Sequence, residues 1–294
     1  MNDVPAKHIP VLADTLLQQI SLPKDAVMVD ATIGQGGHAY LLAKKFESVS
    51  HIIGFDVDPG SIEVARENLE ILDCKVTLIR DNFRNIRSRM NEIGVEKADL
   101  VLADLGWCSA QVVDHQRGMS YQENMPLDMR LDDRLEISAA DIVNGSNEEE
   151  IADIIYQYGE ERASRKIARM IVEQRKYSPI RTTGQLSAII YRAVGGAIAS
   201  KSRVFQALRI AVNKELDVLH ELLNALPELL NPNGYAAIIS FHSLEDRIVK
   251  ENFNKNKKDK IYEVVTKKPL TASKGEIRDN PRSRSAKLRI AKRL

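Results

Sequence analysis

An α/β fold with a mostly parallel sheet is predicted by three features of the sequence. Short apolar runs alternate with amphipathic segments through the first hundred residues, four of these runs carry Asp or Gly at or next to their ends, and a glycine-rich loop follows the first. The runs are AVMVDA (26–31), HIIGFD (51–56), KVTLIRD (75–81) and ADLVLADLG (98–106). Between them, HAYLLAKKF, PGSIEVARENLEIL and FRNIRSRMNEI carry apolar residues at helical spacing, and Pro59 suits the first turn of its helix. Strands separated by helices of this length form right-handed βαβ units, hence a parallel sheet. Such sheets bind ligands beyond the carboxyl ends of their strands, where Asp30, Asp56, Asp81 and Asp104 all fall.

The alternation stops for about ninety residues. NEEEIADIIYQYG (147–159) and RASRKIARMIVEQRK (162–176) are amphipathic, and Thr182 or Thr183 can cap GQLSAIIYRAV. A single long helix is expected from about Arg203 to Pro227, then a turn at NPNG and a fifth strand, YAAIISF (235–241). Two late β-like runs, 261–267 and 287–293, complete the sheet. The expected organisation is a core of residues 1–110 and 202–294 interrupted by a helical subdomain, 111–201.

The composition is that of a soluble globular chain, with 44% hydrophobic and 28% charged residues. Cys74 and Cys108 form no C-x-x-C pair and no disulfide framework, so a reducing cytoplasm is expected. The N-terminal segment lacks a signal-peptide pattern, no apolar run is long enough to span a membrane, and no metal ligands are assigned. The net charge of +1 hides an asymmetry. Residues 247–294 hold 16 Lys/Arg against 5 Asp/Glu, a net of +11, leaving −10 on the rest. A basic C-terminal segment on an acidic body suits a polyanionic partner, although NKNKKDK (254–260) also fits a plain solvated surface.

Gly34, Gly36 and Ala39 satisfy the dinucleotide spacing G-x-G-x-x-G/A, and Asp56 lies where a ribose-binding acid is expected. Taken alone, the loop allows NAD. Asp30 argues for a different ligand, because a carboxylate at the entry point disfavours a pyrophosphate and suits a cation such as S-adenosylmethionine. Asp56 could serve the ribose of either cofactor or cap the next helix. Asp104, beside Gly106, could orient an amine at a cofactor's reactive carbon or act as a helix cap. In ISFHSLEDRIVK (239–250), Ser243 is the expected helix cap, leaving Phe241 and His242 to contact a base.

Nine motifs then occur in order: HIPVL (8–12), DATIGQGGH (30–38), GFDVDP (54–59), DLGWCSAQ (104–111), RGMSY (117–121), PLDMR (126–130), FQALRIAVNKEL (205–216), ISFHSLEDRIVK and NPRSRSAKLR (280–289). Together they resemble the MraW methylase family of ribosomal RNA small-subunit methyltransferases, over nearly the whole chain. The departures are Trp107 and Cys108, where the family reads DLGVSS, and Met119 in place of a phenylalanine.

The resemblance implies a class I (Rossmann-like) methyltransferase with a mostly parallel sheet, antiparallel C-terminal strands and an inserted helical subdomain. It implies S-adenosylmethionine-dependent methylation of a cytidine N4 amine in the decoding region of bacterial 16S ribosomal RNA, either on the RNA or on the assembled small subunit, and leaves a homodimer open. It places cofactor contacts on Gly36, Gly37, His38, Asp56, Phe83, Asp104 and Gln111, with Asp30 added from the loop chemistry. Asp104 and His242 are the candidate catalytic residues. Arg282, Arg284, Lys287 and Arg289 are the candidate RNA contacts. The competing readings are an NAD-dependent oxidoreductase, a catalytically silent RNA-binding module and a DNA cytosine-N4 methyltransferase.

Overall fold

Four strands and their intervening helices form where the alternation predicts them. In the computed structural model, which describes residues 9–106, 117–196 and 198–294, α1 (Ala13–Gln19) leads into β1 (Ala26–Asp30), α2 (Gly37–Lys45), β2 (Val49–Asp56), α3 (Pro59–Leu69), β3 (Lys75–Arg80), α4 (Ile86–Glu92) and β4 (Ala98–Asp104). Among the described residues, five helices follow: α5 (Ala139–Gly145), α6 (Glu148–Gly159), α7 (Ser164–Arg175), α8 (Thr183–Val194) and α9 (Ile198–Asn213). The chain ends with α10 (Glu215–Leu229), β5 (Leu230–Ser240), α11 (Ser243–Lys258), β6 (Tyr262–Val264), β7 (Leu270–Thr271), α12 (Lys274–Asp279) and β8 (Lys287–Arg293). Two compact units result, one from Met1–Cys108 with Leu216–Leu294, the other from Ser109–Glu215.

In the first unit the strands run in the order β3-β2-β1-β4-β5-β8-β6, with β7 also paired to β8. β1 to β5 are parallel, and β8 is antiparallel to β5, β6 and β7. Strand order reverses between β1 and β4, so a switch-point crevice lies at the carboxyl ends carrying Asp30 and Asp104. Both sheet faces are buried, which explains the unbroken apolar runs. Met28, Ile52 and Leu100 join one core with Leu16, Leu42 and Ile62; Val29, Ile53 and Val101 join the other with Met90, Leu222 and Phe253.

Three expectations need correction. The long helix from Arg203 to Pro227 is two helices, because Lys214 takes a left-handed conformation (φ 51°) that ends α9. NPNG does not precede β5 but lies within it, as an irregularity in its pairing with β4. Ala98 pairs with Leu230 and Leu100 with Tyr235, and Asn231 Nδ2 donates to Asp99 Oδ1 at 2.9 Å. Of the late run 261–267, only Tyr262–Val264 forms a strand.

The helical unit shows what three of the quoted motifs do. Tyr121 of RGMSY packs edge-to-face on Phe205 of α9, with ring centroids 5.6 Å apart. Arg117 Nη1 donates to the Leu131 carbonyl, and Asn213 donates to Met129 O while accepting from the Leu131 N–H. Arg209, 7% exposed, forms a two-pronged ion pair with Glu215. These motifs knit the segment 117–131 onto α9, so they are explained by folding. Capping boxes start α5, α6 and α8, the last on Thr182.

Candidate functional site

The β1–α2 loop is built around residues in the left-handed region. Gly34 (φ 50°) and Gly36 (φ 82°) turn the chain into α2, and a side chain on Gly36 would press on Leu69 at 3.1 Å. Two side chains pin the loop. Asp56 Oδ2 accepts the Gly34 N–H at 3.1 Å and its Oδ1 accepts the Asp58 N–H at 2.9 Å. Asp30 Oδ1 accepts the Thr32 N–H at 3.1 Å. Thr32 Oγ1 in turn accepts the Asp104 N–H at 2.7 Å, tying the loop to the end of β4.

His38, the second residue of α2, is 8% exposed and bridges two groups. Its Nε2 lies 2.9 Å from the Val11 carbonyl and must donate to it, since a carbonyl oxygen only accepts. Nδ1 then faces Asp104 Oδ2 at 3.8 Å. Asp104 Oδ1 accepts the Gly106 N–H at 3.2 Å. Gly106 is required by close approach, because a Cβ there would come within 2.6 Å of the Phe241 ring.

The carboxylates are held in an environment hostile to their charge. Burial pushes the Asp30 carboxyl up to about 6 from its ordinary 3.8; His38 pulls it back and Asp104 raises it further. Burial likewise raises Asp56 to about 6, and its neighbours Asp58 and Asp30 add to the rise. Asp104 is raised by burial, with His38 lowering it and Glu245 raising it. Asp30, Asp56 and Asp104 therefore form an acidic cluster whose carboxyls are held by backbone N–H groups, with the His38 ring beside Asp104. A cation bound there would relieve their charge. Asp81 is put to structural use instead. Although burial raises its carboxyl, its bond to Arg89 Nε at 2.6 Å prevails and holds it below the ordinary range.

His242 is not the surplus polar group that the sequence suggests. It is itself the N-cap of α11: Nδ1 accepts the Glu245 N–H at 3.4 Å, while Glu245 Oε2 accepts the Phe241 and His242 N–H groups. Nε2 lies 3.1 Å from Glu245 Oε1, though out of line for a hydrogen bond. Ser243 is the first helical residue, not the cap. Phe83 is partly buried against the core that holds Ile86 and Met90. Gln111, Trp107 and Cys108 lie outside the described residues. Sequence reasoning missed the contact of Thr32, which crosses from the glycine loop to the end of β4, and the capping bonds of Glu245 to Phe241 and His242.

The candidate RNA contacts divide. Arg282 and Arg284 are exposed on the 3-10 turn after α12. Arg289 is 6% exposed and sits in β8, which is an interior strand and not a sheet edge. Its guanidinium grips both oxygens of Asp246, at 2.7 and 3.2 Å, and Lys287 approaches the same carboxylate at 3.5 Å. Burial raises the Asp246 carboxyl, but Arg289 prevails and holds it low. Arg289 is committed inside the protein to Asp246 and is not a phosphate contact. Arg289→Ala is expected to destabilise the fold by about 3 kcal/mol, the usual penalty for breaking a buried pair. Chemical denaturation measures this. In RNA titrations against salt, Arg284→Ala should instead reduce the slope by about one counterion.

A doubly wound sheet with a left-handed glycine loop and acidic strand ends at its switch point defines a Rossmann-like cofactor-binding core. The chain belongs to the MraW methylase family, whose model matches residues 5–294. It is therefore a methyltransferase by family. It is 40% identical to the ribosomal RNA small subunit methyltransferase H of Brevibacillus brevis, covering 100% of both chains. It is 41% identical to the protein of that name from Clostridioides difficile (98% of this chain, 99% of the relative) and 44% identical to that from Endomicrobium trichonymphae (97% and 98%). Among the described residues, no helix is long and apolar enough to cross a membrane.

Proposed function

We propose that this protein transfers a methyl group from S-adenosylmethionine to the exocyclic N4 amine of a cytidine in the decoding region of bacterial 16S ribosomal RNA, in the cytoplasm. The observation that carries the cofactor is the cluster of raised carboxyls around the glycine loop. A pyrophosphate would add negative charge to Asp30, Asp56 and Asp104. An amino acid ammonium and a sulfonium would neutralise it. S-adenosylmethionine supplies a methyl carbon already activated by the sulfonium, so the protein needs no strong base. The names of the relatives support ribosomal RNA as the substrate.

In this reading Asp56 holds the ribose hydroxyls, each carboxylate oxygen keeping acceptor capacity beyond its backbone bond. Gly36 and Gly37 allow close approach of the methionine moiety, and Phe83 flanks the adenine. Asp104 accepts an N4–H of the cytosine, turns the nitrogen lone pair toward the methyl carbon and stabilises the positive charge that develops on nitrogen. The N4–C bond replaces the S–C bond of the methyl donor, and the proton displaced from N4 passes to the Asp104 carboxylate and on to solvent. Phe241, packed on Gly106 beside Asp104, offers a ring face to the base. His242 has a positioning role as the cap of α11. The helical unit serves substrate recognition, while Arg282 and Arg284, with Lys287 at the margin, meet RNA phosphates.

Calorimetric titration tests the cofactor. S-adenosylmethionine should bind at pH 8 and NAD should not. Affinity should fall as the pH drops through about 6, where Asp30 and Asp56 take up protons and lose the charge that attracts the ligand. Tight NAD binding, or an affinity that rises on acidification, would contradict the assignment. Methyl transfer to small-subunit RNA but not to DNA separates the closest alternative.

A further inference from the structure

Residues 9–12 join the glycine loop to the C-terminal segment. The Val11 carbonyl accepts from His38 Nε2, and the Leu12 N–H donates to Glu276 Oε1 at 2.7 Å. The two groups are opposite ends of one peptide unit. Glu276 of α12 pulls on its hydrogen while His38 of α2 binds its oxygen. A carboxylate accepting from a peptide N–H polarises that peptide and strengthens its carbonyl as an acceptor. The line therefore runs from Glu276 through the peptide to the His38 ring and on to Asp104 Oδ2, 3.8 Å from Nδ1.

Two further features show that the peptide is held deliberately. Leu12 is fully buried and left-handed (φ 56°, ψ 24°), a conformation that branched residues avoid and that persists only where the surroundings impose it. One residue beyond α12, Asn280, 8% exposed, donates from Nδ2 to the Ile9 carbonyl at 3.0 Å, and its own carbonyl receives the Ser283 N–H and hydroxyl. The strap is thus clamped at both ends by the C-terminal segment.

We propose that Glu276, assisted by Asn280, is a positioning residue for the methyltransferase site: through the Val11–Leu12 peptide it fixes the His38 ring and so the carboxyl of Asp104. The proposal rests on the glycine loop and Asp104 being the cofactor site. Glu276→Ala removes the acceptor, whereas Glu276→Gln keeps an amide oxygen that can take the same N–H. Two measurements distinguish this from general damage. In the ligand-free protein, the His38 Nε2–H resonance should be lost to solvent exchange in Glu276→Ala and persist in Glu276→Gln. In methyl transfer, the KM for S-adenosylmethionine should rise about tenfold in Glu276→Ala, within the usual range for coupling between two sites. The KM for RNA should stay unchanged, and Gln should restore the cofactor KM. Asn280→Ala should give a smaller change in the same direction. An unchanged His38 resonance in Glu276→Ala, or equal impairment of the Ala and Gln variants, overturns the clamp. If the resonance responds but wild-type protein does not bind S-adenosylmethionine, the clamp stands and the cofactor reading fails.

Discussion

Asp104→Asn is expected to lower the methyl-transfer rate by about a thousandfold, the upper range for removing one preorganised electrostatic contact from a transition state. The geometry gives the reason. One carboxylate oxygen is already bound to the Gly106 N–H and the other faces His38 Nδ1. If the asparagine oxygen keeps the Gly106 bond, its NH2 group points where Oδ2 stood and meets the substrate amine donor to donor. The negative charge that balances the developing cationic nitrogen is also gone. The substitution should not unfold the protein, since burial already raises the Asp104 carboxyl and a neutral amide fits that environment. Single-turnover methyl transfer, with thermal melting as the control, checks both halves. A rate within a fewfold of wild type would remove Asp104 from the orienting role.

Asp30→Asn should separate stability from function. The Asp30 carboxyl is raised to about 6 from 3.8, mainly by burial. Between those pH values the folded chain binds more protons than the unfolded chain, so this group's contribution is fully present below about pH 4 and is lost as the pH rises through 6. At pH 8 the buried charge costs the ligand-free protein on the order of 2–3 kcal/mol. An asparagine oxygen can still accept the Thr32 N–H, so the ligand-free variant should be more stable than wild type at pH 8 and nearly equal at pH 4. Affinity for S-adenosylmethionine should fall about tenfold or more, because a charge facing a cationic ligand is lost. Denaturation at the two pH values and calorimetry measure the two effects. A variant less stable at pH 8, or one with wild-type affinity, would show that the site does not store this strain.

The strand ends were legible because parallel sheets deliver their carboxyl termini to one edge, so Asp30, Asp56 and Asp104 could be grouped before any contact was seen. The β1–α2 glycines were legible because left-handed residues at a strand-to-helix turn are usually glycine. What stayed hidden depends on contacts between distant residues. Leu12 and Glu276 are 264 positions apart, and Arg289 finds Asp246 across 43. No local pattern reports either pairing. His242 was misread because an imidazole is an unusual N-cap and Ser243 beside it looked better suited. The break at Lys214 carries neither glycine nor proline, so an apolar pattern that runs through it predicted one helix where there are two. NPNG has the composition of a turn yet lies inside β5, a placement set by the pairing with β4 that composition alone does not show.

The reaction itself is tested most directly by mass analysis of small-subunit ribosomal RNA incubated with the purified protein and S-adenosylmethionine carrying a deuterated methyl group. The expected product is a single labelled cytidine in the decoding region, with the label on N4 and absent when Asp104→Asn replaces the wild type. Label on carbon 5, on a ribose hydroxyl or on another base would contradict the proposed chemistry, and unlabelled RNA from active, cofactor-bound protein would contradict the substrate.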